Sequence, residues 1–206
     1  MKSVIVGYSG HSYVILDLIN SINKELYGYC ELNRKISNPF NLKYLGFEGD
    51  GEVIESLKNY EVYLGIGNNS QRGYVFLNLY KYGIPLPSAI HSKANVSSLS
   101  EFEFGSVVMA GATINSFSKI GKGVICNSGS IIEHECVIDD FSHIAPGAVL
   151  AGNVHIGKYS FIGANSVIKE GVSIGENVII GAGSVILKDI PSNKKIVGNP
   201  SREIKF

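Results

Sequence analysis

The chain has 206 residues, 45% of them hydrophobic and 17% charged, which is the composition of a folded globular protein. Its 18 basic and 18 acidic residues cancel, so the net charge favours neither nucleic acid nor an anionic membrane as a partner. No apolar run reaches the roughly 18 residues of a membrane-spanning helix, and the N-terminal run is too short for a signal peptide. The sequence therefore predicts a cytoplasmic protein that neither binds nucleic acid nor inserts into a membrane.

Three cysteines are present, Cys30, Cys126 and Cys136, an odd number without the spacing of a metal site. We expect reduced thiols and no bound metal. Cys126 and Cys136 fall at inward positions of the repeat described below, where a cysteine packs as a small hydrophobe.

The first 85 residues alternate between short apolar runs and segments with helical spacing of apolar residues. Strands are predicted at residues 3–6, 26–32 and 61–66, and helices at 11–23, 51–58 and 71–82. Such alternation is typical of an α/β domain with a parallel sheet. The sequence therefore predicts a small, Rossmann-like α/β domain over residues 1–85.

A six-residue repeat occupies the second half of the chain. Stepping by six from Ile90 to Ile186 meets seventeen positions, of which sixteen are aliphatic or aromatic and one is Cys126. A small or β-branched residue follows four places after almost every one of them. Three such hexads form one triangular coil, so residues 18 apart stack in neighbouring coils, and no coil buries its apolar face alone. Residues 86–206 are therefore predicted to form a parallel β-helix.

The turns between hexads are rich in glycine and asparagine, residues that tolerate the positive φ of tight corners. We expect positive φ at the following residues: Gly121, Asn127, Asn153, Gly157, Gly163, Gly175, Asn177 and Gly181. The unbroken register leaves no long inserted loop, so functional groups of this half must come from its corners.

Among five histidines, His134 has the most informative position. It falls at an outward corner of its hexad, and the residue stacked 18 places later is Gly152. The imidazole is therefore predicted to project beside a corner without a side chain, where a ligand can approach the backbone N–H. Glu135 follows at once and is suited to orient a general base. A solvated polar corner remains the alternative interpretation of the same residues.

Several segments resemble the bacterial nucleotide-sugar N-acetyltransferases of the bacillosamine and perosamine type, grouped with sialic-acid O-acetyltransferases. The matching segments are residues 132–136 (IEHEC), 141–147 (FSHIAPG), 150–154 (LAGNV) and 7–11 (GYSGH). The tail Gly198-Asn199-Pro200-Ser201 also matches, with serine where alanine is usual. The resemblance covers the whole chain and implies that the β-helix winds left-handed.

The resemblance implies roles for individual residues of the central block. His134 is expected to be the general base and Glu135 its orienting carboxylate. His143 matches a second histidine at the thioester end of the site, and Gly152 matches a glycine whose N–H contacts the acetyl carbonyl. His155 lies outside the matching block and is expected at a surface corner.

The resemblance further implies a homotrimer that uses acetyl-CoA as co-substrate. Coenzyme A is then expected in a groove between the β-helices of adjacent subunits. Late coils around Gly181, Ala182 and Lys188 are expected to contact its pantetheine and nucleotide portions.

The N-terminal loop of Gly7, Ser9, Gly10 and His11 lies between a predicted strand and a predicted helix. Backbone amides and the helix dipole at such a point can hold phosphate, and the resemblance makes this loop the phosphate site for a nucleotide sugar. The acidic role near the nucleobase falls on Glu31. After the third predicted strand, the following polar residues are candidates to reach the sugar or its phosphates: Asn68, Asn69 and Arg72. Arg72 is equally compatible with a solvated helix position.

The sequence thus predicts transfer of an acetyl group from acetyl-CoA to the amino group of a nucleotide-linked amino sugar. A 4-amino-4,6-dideoxyhexose destined for a bacterial surface polysaccharide is the expected acceptor. One alternative is O-acetylation of a sialic-acid-type sugar with the same base. Another is a non-catalytic trimeric scaffold that binds nucleotide sugar. The sequence does not distinguish UDP, dTDP and GDP as the carrier.

Overall fold

The computed structural model describes residues 1–204, which begin with a four-stranded parallel sheet flanked by helices. Its elements in chain order are β1 (Ser3–Val6), α1 (Gly10–Ser21), β2 (Leu26–Cys30), β3 (Lys43–Gly46), α2 (Gly51–Leu57), β4 (Glu61–Leu64) and α3 (Asn69–Lys81). The strand order is β3-β2-β1-β4, and every neighbouring pair is parallel. The carboxyl ends of all four strands therefore meet at one edge of the sheet, the usual ligand-binding edge of such domains.

The predicted small parallel sheet with helices is confirmed, and the structure adds one strand that the sequence did not indicate. This strand, β3, lies at the edge of the sheet beside β2. It is four residues long and follows an irregular polar segment, so its apolar pattern is too short to stand out. Of its residues, Lys43 is exposed and the other three are only partly buried.

Seventeen two-residue strands build the second half. They are Ala89–Ile90 (β5), Asn95–Val96 (β6), Glu101–Phe102 (β7), Val107–Val108 (β8), Thr113–Ile114 (β9), Lys119–Ile120 (β10), Ile125–Cys126 (β11), Ile131–Ile132 (β12), Val137–Ile138 (β13), His143–Ile144 (β14), Val149–Leu150 (β15), His155–Ile156 (β16), Phe161–Ile162 (β17), Val167–Ile168 (β18), Ser173–Ile174 (β19), Ile179–Ile180 (β20) and Val185–Ile186 (β21). Each ends on a position of the predicted six-residue register. Two further strands, β22 (Lys195–Val197) and β23 (Arg202–Glu203), follow.

These strands stack into the three sheets of a triangular prism. Sheet I has the order β23-β22-β20-β17-β14-β11-β8-β5, sheet II the order β21-β18-β15-β12-β9-β6, and sheet III the order β19-β16-β13-β10-β7. From β5 to β21, paired residues are 18 apart, as in Ile131 with Val149, whereas Ile179 pairs with Lys195 of β22, 16 residues later. The register residues fill the interior, and Cys126 and Cys136 are fully buried among them. Burial raises the pKa of these thiols to about 12 and about 11, so both are packing residues.

The glycine and asparagine residues predicted at turns with positive φ fall into two groups, those that adopt it and those that lie close to the next coil instead. Asn153 and Asn177 do have positive φ, but Asn127 and the five glycines expected to share it do not. Those glycines come directly after a strand, where the next coil approaches closely. A Cβ on Gly157, for example, would lie 2.6 Å from the carbonyl carbon of Gly175. Close coil-to-coil contact, not backbone conformation, therefore requires glycine there.

The α/β domain packs on the outer face of sheet I. Residues of α1, such as Leu16 and Ile19, share one hydrophobic cluster with Val107 and Ile125 of that face. Between the α/β sheet and α3 lies a second cluster, which Phe141 of the β-helix joins. The two halves of the chain are thus joined by buried contacts.

Within residues 1–204, no helix is long and apolar enough to cross a bilayer. In the same part of the chain, no group of three or more histidine, cysteine or acidic side chains is arranged to hold a metal ion.

Candidate active site

His134 and Glu135 form an exposed pair at the corner between sheets II and III. His134 Nδ1 lies 3.0 Å from Glu135 Oε2, and the two side chains are 59% and 62% exposed. They follow β12, whose last residue, Ile132, is anchored in the core. When the carboxylate accepts a hydrogen bond from Nδ1–H, Nε2 is left unprotonated and can accept a proton, which is the arrangement of a general base.

Gly152 lies under the imidazole, at the position that counting by 18 predicts. A Cβ on Gly152 would lie 2.5 Å from Cε1 and 2.6 Å from Nε2 of His134, so the ring fills the space of the missing side chain. The Asn153 N–H donates to the His134 carbonyl at 2.8 Å and holds the two coils in this register. The Gly152 N–H donates to no group of residues 1–204 and is free for a ligand beside the ring.

A second group of polar side chains lies where sheet I meets the α/β domain. His143, in β14, is 7% exposed, and its Nε2 lies 3.0 Å from Nδ2 of Asn127. Its ring centroid is 6.1 Å from that of His11, which α1 carries, and 5.1 Å from that of Phe161. The structure therefore brings together two histidines that were predicted to serve different substrates.

Burial keeps both of these imidazoles neutral. It lowers the pKa of His143 to about 3, and the Arg72 charge and His11 contribute further. Burial and the Arg72 charge lower the pKa of His11 to about 4. Among the described residues, His11 Nε2 is buried and has no hydrogen-bond partner, whereas the Gly67 backbone interacts with the His143 ring and partly opposes the lowering of its pKa. The unpaired nitrogen of His11 suits a polar group of a ligand.

Asn127 belongs to this group, although the sequence predicted only a turn role for it. The signal that would have found it is a 16-residue spacing between polar residues. The same spacing separates Asp139 from His155 and Asn177 from Asn193, and each of these pairs is hydrogen-bonded across neighbouring coils. Asn127 and His143 are also 16 residues apart.

Arg72 was predicted to contact the nucleotide sugar, and the structure gives it another role. Its side chain is 1% exposed, and all its hydrogen bonds go to oxygens of the protein itself. Asn69 is used similarly, since its Nδ2 donates to the carbonyls of Tyr159 and Ser160. Arg72 is therefore not free to reach a phosphate, whereas Asn69 binds the β-helix but is partly exposed and lines an open cavity with Asn68.

The predicted phosphate loop lies at the carboxyl end of β1. Gly7 has a φ of +82°, and Ser9 precedes α1, whose first residue is Gly10. The Ser12 hydroxyl accepts the Ser9 N–H at 2.9 Å and fixes the start of the helix. A Cβ on Gly10 would meet nothing within 4 Å, so the first turn of α1 is open to a ligand.

Glu31 closes this loop from within the domain instead of pointing freely toward a nucleobase. Its Oε2 accepts the Tyr8 N–H at 3.1 Å and lies 3.2 Å from the Lys35 ammonium. Burial acts to raise the pKa of Glu31, but hydrogen bonds from Tyr8 and Lys35 outweigh it and the pKa lies below its usual value. The carboxylate therefore fixes the loop as an anion.

Asn68 lies at the rim of a cavity of about 290 Å³ between the β4–α3 turn and sheet I. Its Oδ1 accepts the Gln71 N–H at 2.9 Å and caps α3. Across the cavity lie Phe161 and Ile179 of sheet I. The cavity adjoins the histidine pair, because Phe161 packs against His143.

The late-coil residues fall on two different edges of the prism. Lys188 is exposed on the edge that carries His134, since residues 134, 152, 170 and 188 are 18 apart. Gly181 and Ala182 follow β20 at the corner between sheets I and II. Within one chain, these two therefore do not lie beside Lys188.

The His134 corner and the histidine pair also lie apart within one chain. His134 stands where sheets II and III meet, which is the corner opposite sheet I, whereas His143 lies on sheet I itself. Between them runs the outer face of sheet II, which is apolar in β12, β15, β18 and β21. Its outward residues include Ile131, 36% exposed, and Val167, 41% exposed, with Val149 and Val185 between and beyond them.

A hexapeptide β-helix with a histidine–carboxylate pair at one corner defines a hexapeptide-repeat acyltransferase. Comparison of the sequence with family models agrees. Residues 153–188 match the bacterial transferase hexapeptide model of six repeats, and residues 2–79 match the PglD N-terminal domain. The left-handed winding predicted for the β-helix is that of this repeat. No curated protein matches the chain.

Solved structures narrow the class to one family. The acetyltransferase domain of PglB from Neisseria gonorrhoeae, in complex with acetyl coenzyme A, is 32% identical, with a TM-score of 0.92 over 98% of both chains. PerB from Caulobacter crescentus, in complex with CoA and GDP-perosamine, is 28% identical, with a TM-score of 0.92 over 100% of this chain and 98% of that one. WeeI from Acinetobacter baumannii is 26% identical, with a TM-score of 0.86 over 99% and 100%. The chain belongs to the bacterial nucleotide-sugar N-acetyltransferases, which are acetyl-CoA-dependent enzymes.

Proposed function

We propose that the chain transfers the acetyl group of acetyl-CoA to the amino group of a nucleotide-linked amino sugar, with His134 as general base. The observation that carries this is the His134–Glu135 pair, 3.0 Å apart and stacked on Gly152. A 4-amino-4,6-dideoxyhexose is the acceptor we favour, because the PerB relative was solved with GDP-perosamine. A perosamine N-acetyltransferase was also solved as a histidine-to-asparagine variant with the same ligands.

The proposed reaction needs no covalent enzyme intermediate. The neutral amine attacks the thioester carbonyl carbon, and His134 Nε2 takes the proton that the nitrogen loses. The Gly152 N–H donates to the carbonyl oxygen as it becomes negative. When the tetrahedral intermediate collapses, the carbon–sulfur bond breaks and the imidazolium returns the proton to the departing thiolate. Glu135 holds the imidazole in the tautomer that this sequence requires.

Each substrate has a surface whose chemistry suits it. The open first turn of α1 at Gly10 and His11 suits the phosphates of the nucleotide sugar. Lys188 supplies a cation for the phosphates of coenzyme A, and the exposed corner at Ala182 leaves room for its pantetheine arm. His143, which is neutral, lines the thioester end.

A homotrimer would complete this site. The predicted catalytic pair and the histidine pair lie on opposite sides of one coil, so a second subunit is needed to bring them to one ligand. The exposed apolar face of sheet II, with Ile131 and Val167, gives adjacent β-helices a surface to bury. The groove for acetyl-CoA would then run between two subunits.

The test is an acetyl-CoA consumption screen over UDP-, dTDP- and GDP-linked amino sugars, with product mass measured. His134→Gln is expected to lower kcat by about 100-fold or more, the usual contribution of a general base. His155→Gln is the matched control, because His155 is also half-exposed and lies 3.0 Å from a carboxylate, that of Asp139. Its kcat should stay within about twofold.

Three results would overturn the proposal. Full activity of His134→Gln would show that His134 is not the general base. Turnover of hydroxyl acceptors with none of any amino sugar would make the protein an O-acetyltransferase, and binding without turnover of any acceptor would make it a scaffold.

A further inference from the structure

Arg72 joins the two halves of the chain through six hydrogen bonds. Three go to the α/β domain: Ile66 O at 3.2 Å, Gly67 O at 3.0 Å and Asn69 Oδ1 at 2.9 Å. Three go to the β-helix: Gly123 O at 2.7 Å, Phe141 O at 2.7 Å and Ser142 O at 3.3 Å. Every nitrogen of the guanidinium is used. The side chain therefore holds the β4–α3 turn and the corner between sheets III and I in one arrangement.

No carboxylate is among these partners, which is uncommon for a buried arginine. Within residues 1–204, the ion pairs all involve other residues. Burial lowers the pKa of Arg72 to about 9, so the group keeps its charge at neutral pH. The protein thus maintains an uncompensated cation between its two domains, an arrangement that costs stability unless the hydrogen bonds are well made.

The helix that carries Arg72 fits this corner through matched glycines and aromatic rings. On the β-helix side, Phe141 and Tyr159 hold positive φ, 61° and 60°, and stack with centroids 5.2 Å apart. Gly73 makes room for Tyr159, since its Cβ would lie 2.7 Å from that ring. Gly105 makes room for Phe76 of α3 in the same way, because a Cβ on Gly105 would lie 2.6 Å from the Phe76 ring. These two close fits constrain how α3 docks on the β-helix.

The rings of His11 and His143 lie on the two sides of this junction. His11 belongs to the α/β domain and His143 to the β-helix, with centroids 6.1 Å apart. Gly67, whose carbonyl accepts from Arg72, lies against His11, and Ser142, another acceptor, directly precedes His143. A movement of either Arg72 partner would therefore change the separation of the two rings.

We propose that Arg72 is a positioning residue, which locks the β4–α3 turn onto the corner between sheets III and I and so sets the His11 ring against the His143 ring. The inference deepens the proposed function, in which these two rings face the nucleotide sugar and the thioester. Its second effect is electrostatic. The titratable groups that face one another at this junction are Arg72, the two imidazoles and the Tyr159 hydroxyl, and the one standing charge among them is that of Arg72.

The experiment compares Arg72→Met and Arg72→Lys with Phe76→Leu, which loosens the same junction without removing a charge. Ring NMR signals of His11 and His143 are followed against pH in the substrate-free protein, and kcat and KM are measured with the acceptor found in the screen. Arg72→Met should raise the His143 titration midpoint by about one unit, since a nearby cation disfavours the protonated ring. It should lower kcat about tenfold or more with less than threefold change in KM, because misplaced groups cost turnover first.

The two other variants separate charge from packing. Arg72→Lys should keep both titration midpoints near their original values and recover part of kcat. Phe76→Leu should lower the melting temperature but leave the titrations and kcat within about twofold. Unchanged titration and kcat in Arg72→Met would overturn the inference, as would a Phe76→Leu variant that reproduces every effect.

Two further outcomes are decisive as well. If Arg72→Met does not fold, unchanged kcat in Arg72→Lys overturns the inference and a lowered kcat with preserved titration supports it. If the wild-type protein acetylates nothing, the proposed function fails, whereas an Arg72-dependent titration of the two rings still supports the positioning role.

Discussion

The imidazole of His134 lies in the space where Gly152, one coil later, lacks a side chain. The contact is close enough that a Cβ at Gly152 would lie 2.5 Å from Cε1 of the ring. Gly152→Ala should therefore push the imidazole outward while leaving the coil intact, because φ at Gly152 is not positive and the ring is exposed at its far side. We expect kcat to fall about 100-fold, with little change in melting temperature, in the acetyl-CoA assay.

The control for this substitution is Gly51→Ala, at the first residue of α2, where a Cβ meets nothing within 4 Å and φ is not positive. Its kcat and melting temperature should match those of the wild type or improve slightly. A Gly152→Ala variant that is fully active would show that the position of His134 over Gly152 is not needed.

Glu135 has positive φ at a turn, a conformation that glycine or asparagine adopts at most other turns of the β-helix. Its φ is +59°, a conformation that costs an L-residue about 1–2 kcal/mol. Glu135→Gly should therefore raise the free energy of unfolding by about 1 kcal/mol, measured by urea denaturation. The same change removes the carboxylate from His134 Nδ1, so kcat should fall about tenfold or more.

Glu135→Gln separates the two effects, because it removes the charge and keeps the backbone strain. It should lose activity like Glu135→Gly without the gain in stability. If Glu135→Gly is stabilised and retains full kcat, the carboxylate does not orient the base.

The hexad made the strands and the buried positions of the β-helix predictable, but not the backbone conformation of its turns. A period of six fixes which side chains face inward, and three hexads per coil fix which residues stack, so the contact of His134 with Gly152 followed from counting. The pairing of Asn127 with His143 follows from the same geometry with a spacing of 16, which differs from the spacing of 18 that joins stacked residues.

The docking of the α/β domain was not predictable in this way, because it follows no period. Nothing in the sequence around Arg72 distinguishes an arginine that binds phosphate from a buried arginine that binds carbonyls of the other domain. The partners that decide the matter, such as Gly123 and Phe141, lie 51 and 69 residues away. The role of Glu31 was not predictable either, because the hydrogen bond that it accepts from the Tyr8 N–H depends on how β2 lies beside β1.

The stability of the protein should depend on pH through His11 and His143. Burial and the Arg72 charge lower the pKa of these groups to about 4 and about 3, whereas an unfolded histidine titrates near 6.5. Between about pH 6.5 and pH 4 the unfolded chain binds protons that the native protein does not. With respect to these two groups, the free energy of unfolding should therefore have its highest value above pH 6.5. It should fall as the pH is lowered, by up to about 1.4 kcal/mol per pH unit for each histidine.

Urea denaturation at a series of pH values checks this dependence. His143→Asn should reduce the slope between pH 6.5 and pH 4. Phe161→Leu, beside the same ring, should lower stability equally at every pH and leave the slope unchanged. An identical slope in wild type and His143→Asn would contradict the neutral, buried state of His143.

The outer face of sheet II should be the contact surface of the proposed trimer. Val167 is 41% exposed in the single chain and continues an apolar row formed by Ile131, Val149 and Val185. Val167→Lys would bury an unpaired ammonium in such an interface, which is strongly unfavourable, so light scattering should report monomers. Acetyl transfer should be lost with the trimer, because one chain holds His134 and His143 on opposite sides of its coil.

The control is Ser173→Lys, since Ser173 is an exposed residue of sheet III, and this variant should remain trimeric and active. A monomeric Val167→Lys protein with full kcat would show that one chain holds a complete site.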